Sequence, residues 1–190
     1  MNKIIWPLLL CAVLCGCGGG ETGGAVQEQY RTLETARLEA EVTSHTSTDS
    51  RTFTLLCSYD ADGDAVTTVT APGELAGLTA VVSGTDMTLS SEGLQLPAGA
   101  SLDICPANCL PYLLRALADG YVLEQSSEAL DDTPCLRLAL DTTAPGGSKV
   151  LCAVWLDAEG LFPRYAEFSR NEQVVLTVKL LAFTCTTSEG

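Results

Sequence analysis

The side chains that could do chemistry are few, and their spacing argues against most of it. His45 is the single histidine and falls among Thr43, Ser44 and Thr46. A hydrolytic triad also needs a placed nucleophile and acid, and no Gly-x-Ser-x-Gly elbow occurs. A solvated strand residue is expected there. Asp60, Asp62 and Asp64 are spaced like the start of a calcium loop, but the twelfth position counted from Asp60 is Ala71 where a bidentate Glu is required. An acidic hairpin turn is the expectation, with no metal. Glu39 with Glu41, and Asp131 with Asp132, are carboxylate pairs of the sort a hydrolase uses; on exposed strands and loops such pairs are solvated charge. Cys105-Pro106-Ala107-Asn108-Cys109 is one residue longer than a zinc Cys-x-x-Cys, and no second pair or histidine follows at a zinc interval. No enzyme activity and no cofactor are expected.

The N-terminus carries a stronger signal. Met1-Asn2-Lys3 is a short positive region, and Ile4 to Leu14 is an apolar run too short to span a bilayer as a helix. That is the form of a signal peptide. It ends in Leu14-Cys15-Gly16-Cys17, which resembles the lipobox of bacterial lipoproteins. The chemistry needs a thiol as acyl acceptor, small neighbours that admit a protease, and an apolar lead-in that holds the site at the membrane face. The resemblance implies cleavage of residues 1–16 and lipidation of Cys17. Residues 17–24, rich in glycine, would then be a flexible tether. The expected location is the extracytoplasmic face of the cell membrane, reached through this lipid anchor.

Length and charge bound the remainder. The chain has 190 residues with 24 acidic and 10 basic ones, a net charge of −14. Such a charge repels phosphate backbones, so nucleic acid is not an expected partner. Residues 25–190 are the right length for one domain with one core. Six cysteines fall in it: Cys57, Cys105, Cys109, Cys135, Cys152 and Cys185. In an exported chain an even set points to disulfides, and six cysteines allow 15 full pairings.

The elements follow from periodicity. Val26, Tyr30, Leu33 and Ala36 recur at three- and four-residue steps, which predicts an amphipathic helix over 25–37. The period then becomes two. Strands are predicted at 38–42, 52–59, 65–70, 78–83, 86–90 and 93–96, with Asp62-Gly63, Pro72-Gly73 and Pro97-Ala98-Gly99 as turns or breaks. Leu110, Leu113, Leu114 and Leu117 predict a second helix over 105–118, stopped by Asp119-Gly120. Strands return at 121–125, 135–140, 149–156, 164–169 and 174–183. Pairing about a midpoint near residue 144 puts Cys135 almost opposite Cys152, the favoured disulfide; it would contribute about 3 kcal/mol in the chain-entropy model. A local Cys105–Cys109 bond, or pairing of either with Cys57 or Cys185, stays open. The expected class is α+β: a meandering antiparallel sheet with helices over its apolar face.

This order of elements, with Trp155-Leu156-Asp157-Ala158-Glu159-Gly160-Leu161-Phe162-Pro163 and the ending Val174-Val175-Leu176-Thr177-Val178, resembles the LolA/LolB-like superfamily of lipoprotein carriers over about residues 25–185. The resemblance implies a sheet curved into a half-barrel, two or more helices as a lid, and an enclosed apolar cavity for acyl chains. Phe53, Leu55 and Leu113 are the cavity candidates. Two functions follow as expectations: a lipoprotein that binds or carries a lipid or other apolar ligand, or an interaction module that docks a cell-envelope protein.

Overall fold

The computed structural model describes residues 19–99, 103–144 and 146–188. Met1–Gly18, which contain the expected signal segment and Cys17, lie outside the described residues. An opening helix, α1 (Gly19–Arg31), leads into β1 (Leu33–His45), β2 (Ser50–Asp60), β3 (Ala65–Ala71), β4 (Thr79–Ser83), β5 (Asp86–Ser91) and β6 (Leu94–Gly99). A second helix, α2 (Cys109–Asp119), is followed by β7 (Tyr121–Leu130), β8 (Thr133–Thr143), β9 (Lys149–Asp157), β10 (Pro163–Arg170) and β11 (Gln173–Thr187). The fold class is α+β, as the sequence predicts. Among the described residues no helix is long and apolar enough to cross a membrane.

All eleven strands form one open antiparallel sheet in the order β6-β5-β4-β3-β2-β1-β11-β10-β9-β8-β7. Every neighbour but one is joined by a hairpin or short loop. The exception is the central pairing of β1 with β11, which brings the two ends of the domain together. Because β6 and β7 are opposite edges, the chain between them must cross the whole sheet, and α2 makes that crossing. Leucine spacing therefore has a topological role: the crossing segment must match the apolar concave face beneath it.

α1 starts inside the glycine-rich segment expected as tether, and it ends earlier than the spacing predicts. Gly23 is buried against β7, where an added Cβ would stand 3.0 Å from Gln125 Oε1. Leu33 and Ala36 belong to β1, not to the helix. A register shift between Leu33 and Thr35 lets one odd and one even residue face inward in succession, so a bulge reproduced a helical interval.

The strands alternate as predicted, and their inward residues build a main core with both helices and a smaller cluster of Ala65, Ala80, Val82 and Met87. Leu38, Leu55, Leu138, Leu156, Phe168 and Leu176 are among the main core's fully buried members. Two hairpins turn through non-glycine residues in the left-handed region: Asp131 and Asp132 at φ 49° and 61°, and Asn171 and Glu172 at φ 50° and 63°. This primed geometry matches the strand twist at a cost that glycine would avoid.

The register overturns the favoured disulfide. Ala144 and Ser148 close the β8–β9 loop, and the ladder sets Cys135 opposite Asp157 and Cys152 opposite Leu140. The two cysteines are five positions apart along the ladder, roughly 17 Å at about 3.4 Å per residue, beyond a disulfide's reach. They also differ in parity: Cys152 faces the core, whereas Cys135, though 2% exposed, is on the other face. All six cysteines carry free thiols in the structure.

Candidate functional site

The concave face is where the fold gathers apolar chemistry. Strands β1, β2, β8, β9, β10 and β11 each turn alternate aliphatic residues into it, and α2 lies in the resulting trough. Of the eleven residues of α2, eight are buried, including Leu110, Leu113, Leu114 and Leu117. A helix enclosed on nearly every side is a plug for the trough, not a surface helix. Its position is fixed at both ends. Asn108 Oδ1 accepts the Cys105 N–H at 2.9 Å ahead of the helix. Gly120 donates to the Ala116 carbonyl at 2.8 Å behind it. Gly120 is required there, because a Cβ would stand 2.4 Å from the Ala116 carbonyl oxygen and 3.2 Å from Leu140.

Within the trough Tyr112 meets Phe168 at 5.8 Å between ring centroids, and its hydroxyl hydrogen-bonds to Thr142. A buried tyrosine thus keeps its polar atom partnered. Burial pushes the Tyr112 hydroxyl above its ordinary pKa, against the lowering effect of the Thr142 bond.

α1 packs beside α2 and latches to both rims of the trough. Gln27 donates to the Gly120 carbonyl at 2.6 Å, Gln29 to the Gly160 carbonyl at 3.1 Å, and the Tyr30 hydroxyl to the Leu161 carbonyl at 3.0 Å. Desolvation drives the Tyr30 pKa far upward, so it acts as a neutral donor. These three bonds join the helix to loops at opposite sides of the sheet. Sequence reasoning missed them, since glutamines on the polar side of a helix carry no mark of distant carbonyl partners.

The three cavity candidates come together at this site in different settings. Leu55 and Leu113 are 1% and 0% exposed within the continuous core. Phe53 is half-buried against that core and lines a recess of about 390 Å³ with Ser44, Arg51 and Pro106. Two larger recesses open at opposite rims. One, of about 530 Å³, is bordered by Phe162, Tyr165, Lys179 and Phe183; the other, of about 640 Å³, lies between α1 and β7. Phe162 stacks on Phe183 at 5.3 Å and Phe183 on Tyr30 at 6.5 Å, so the first recess leads toward the latch.

The residues weighed for catalysis do not converge. His45 is bonded through Nδ1 to Ser50 Oγ at 3.0 Å and through Nε2 to Thr177 Oγ1 at 3.3 Å, on the outer face. Asp60 Oδ1 accepts the Asp62 N–H at 3.0 Å within the β2–β3 turn. Asp131 and Asp132 form a hairpin turn. Among the described residues no group of three or more His, Cys, Asp or Glu is arranged to hold a metal ion. The outer face carries a polar network instead. Arg137 lies 5.3 Å from the Trp155 ring and 3.3 Å from Glu124, and Trp155 donates to Glu128 at 2.9 Å. That indole bond, with Ser126 and Arg137 nearby, holds the Glu128 carboxyl below its usual pKa.

No protein family's profile matches the sequence, and no curated protein matches it. Solved structures do. A DUF1329 family protein from Desulfovibrio piger ATCC 29098 is 11% identical, with 90% of this chain and 94% of that one covered and a TM-score of 0.52. An uncharacterised conserved protein from Thermus thermophilus is 9% identical, with 89% and 88% covered and a TM-score of 0.52. A LolA superfamily protein from Nitrosomonas europaea matches at 13% identity over 87% of this chain and 94% of that one, with a TM-score of 0.46. At such identities a likeness shows the fold alone. The fold is an open antiparallel sheet with helices against one of its faces.

Proposed function

We propose that this chain is a lipid-anchored lipoprotein on the extracytoplasmic face of the cell membrane, tethered through Cys17, and that it binds an acyl chain or comparable apolar ligand against the concave face of its sheet. One observation carries the reading: the apolar face is closed by two helices, of which the eleven-residue α2 is buried along eight of its residues, rather than by a second sheet. A short helix between two loops can shift and leave the sheet intact.

The energies are matched in scale. Uncovering the four leucines of α2 costs about 1.5–3 kcal/mol each, roughly 6–12 kcal/mol in all. An acyl chain of about 14 methylenes regains about 0.8 kcal/mol per group, on the order of 11 kcal/mol, when it takes their place. An apolar ligand of that length therefore offsets the opening, whereas a short polar one does not.

The test is a titration of the chain from Gly18 onward, which retains every described element, with a fluorescent long-chain fatty acid. Saturable binding at one site, competed by unlabelled fatty acid and absent with a short-chain acid, supports the reading. A folded chain that binds no long-chain probe contradicts it.

A further inference from the structure

Three of the six cysteines of the folded domain meet where α2 begins. Cys57 faces inward from β2 and is 2% exposed; Cys109 opens α2 and is 0% exposed, and both belong to one buried cluster. Cys105 lies one turn upstream. Its carbonyl accepts the Cys109 N–H at 3.0 Å, and its side chain packs over Ala65, Ala80 and Val82. Those residues share a sheet face with Cys57, since Cys57 is paired with Thr67 and Thr67 with Ala80. The loop that carries Cys105 is pinned by Asn108, which takes the Cys105 N–H at 2.9 Å and donates to the Asp103 carbonyl at 3.1 Å.

A second feature marks the same place. Thr67 is 2% exposed, and its hydroxyl is buried without a hydrogen-bond partner of ordinary geometry. The Cys57 thiol is its polar neighbour, and their contact lowers the thiol's pKa against the stronger effect of burial. The other cysteines stand apart. Cys135 is on the outer face, Cys152 lies opposite Leu140, and Cys185 lies opposite Ala36 on the central strand pair.

We propose that Cys57, Cys105 and Cys109 form a disulfide site in which one bond joins Cys109 to Cys105 or to Cys57 and fastens the first turn of α2. The oxidant is a small or protein disulfide, R–S–S–R. Two protein thiols give up two protons and two electrons, one S–S bond forms, and two R–SH leave. The third cysteine then exchanges with the bond by thiolate attack, with no net electron change. Side chains one helical turn apart have Cβ atoms about 5–6 Å apart, a disulfide needs about 3.5–4.5 Å, and Cys105 precedes the first helical residue, so the remaining gap closes before the Asn108 bonds pin the loop. Burial pushes Cys57 up to about 11 and raises Cys105 and Cys109 as well. Thiolate is scarce in the folded state, so the bond forms while the chain folds, before α2 settles.

The experiment refolds the full chain from urea in a mixture of oxidised and reduced glutathione, blocks thiols with N-ethylmaleimide in denaturant, and maps the monomeric fraction by mass spectrometry. The expected result is a link from Cys109 to Cys105 or Cys57, two fewer blocked thiols per chain, and full blocking of Cys135 and Cys152. In Cys105→Ser the link moves wholly to Cys57–Cys109. Full blocking of Cys109, or a link from it to Cys135, Cys152 or Cys185, overturns the assignment.

Discussion

Replacing Leu113 by alanine probes the seal of the trough. Leu113 is 0% exposed at the middle of α2 and shares its buried cluster with Leu55 and Phe168. Leu→Ala at such a site loses the transfer free energy of the removed carbons and adds a cavity term, about 2–5 kcal/mol in total. Collapse onto the cavity is restricted here, because Gly120 and the Asn108 turn hold both ends of the helix. The expected loss is therefore about 3–4 kcal/mol. Against a global stability on the order of 5–15 kcal/mol the variant stays folded. Urea unfolding followed by circular dichroism reads the change as a lower midpoint at unaltered slope. The void should also admit a linear alkane chain, and saturating decanol at about 100 times its dissociation constant should return about 2.7 kcal/mol. A loss below about 1 kcal/mol, or no rescue by decanol, refutes the picture of α2 as a tightly fitted plug over a face that accepts alkyl chains.

Three further outcomes follow from single residues. Gly120→Ala sets a Cβ against the Ala116 carbonyl and Leu140, and should lower the urea-derived stability by about 1–3 kcal/mol. Glu172→Gly relieves a left-handed residue at φ 63° in the β10–β11 turn, and should raise the thermal midpoint by a few degrees, equivalent to about 0.5–1 kcal/mol. Asp103 is held below its ordinary pKa of 3.8, chiefly by the Ser148 hydroxyl and also by Arg170, although it is largely exposed. Its contribution is present above that value and is lost as pH falls through the lowered one; the midpoint gap between the native chain and Asp103→Asn should accordingly close below pH 3.8.

Much of the fold was legible because the periods are clean. Every predicted strand has its counterpart, and Leu110, Leu113, Leu114 and Leu117 correctly placed α2. The failures each have a local cause. Leu33 and Ala36 read as helical because the β1 bulge spaces two inward residues three apart. Asp131-Asp132, expected as solvated charge, was not legible as a hairpin turn because neither residue is the glycine or asparagine that marks a primed turn. The disulfide expectation failed on a loop midpoint two residues too early, and in a sheet such a slip changes every partner. Nothing local could show that β1 pairs with β11, or that α2 must cross the sheet, because both are properties of chain closure. The candidate site was legible only as apolar material. Leu55 and Leu113, expected to line a cavity, are buried in the core, and whether inward residues fill a core or border a cavity is decided by the helix that covers them.

Native mass spectrometry of the full chain, extracted gently from its own membranes, tests the central claim most directly. The account predicts a population heavier by one non-covalent acyl lipid, which organic solvent removes while the covalent modification at Cys17 remains. A single ligand-free species from a folded chain would contradict it.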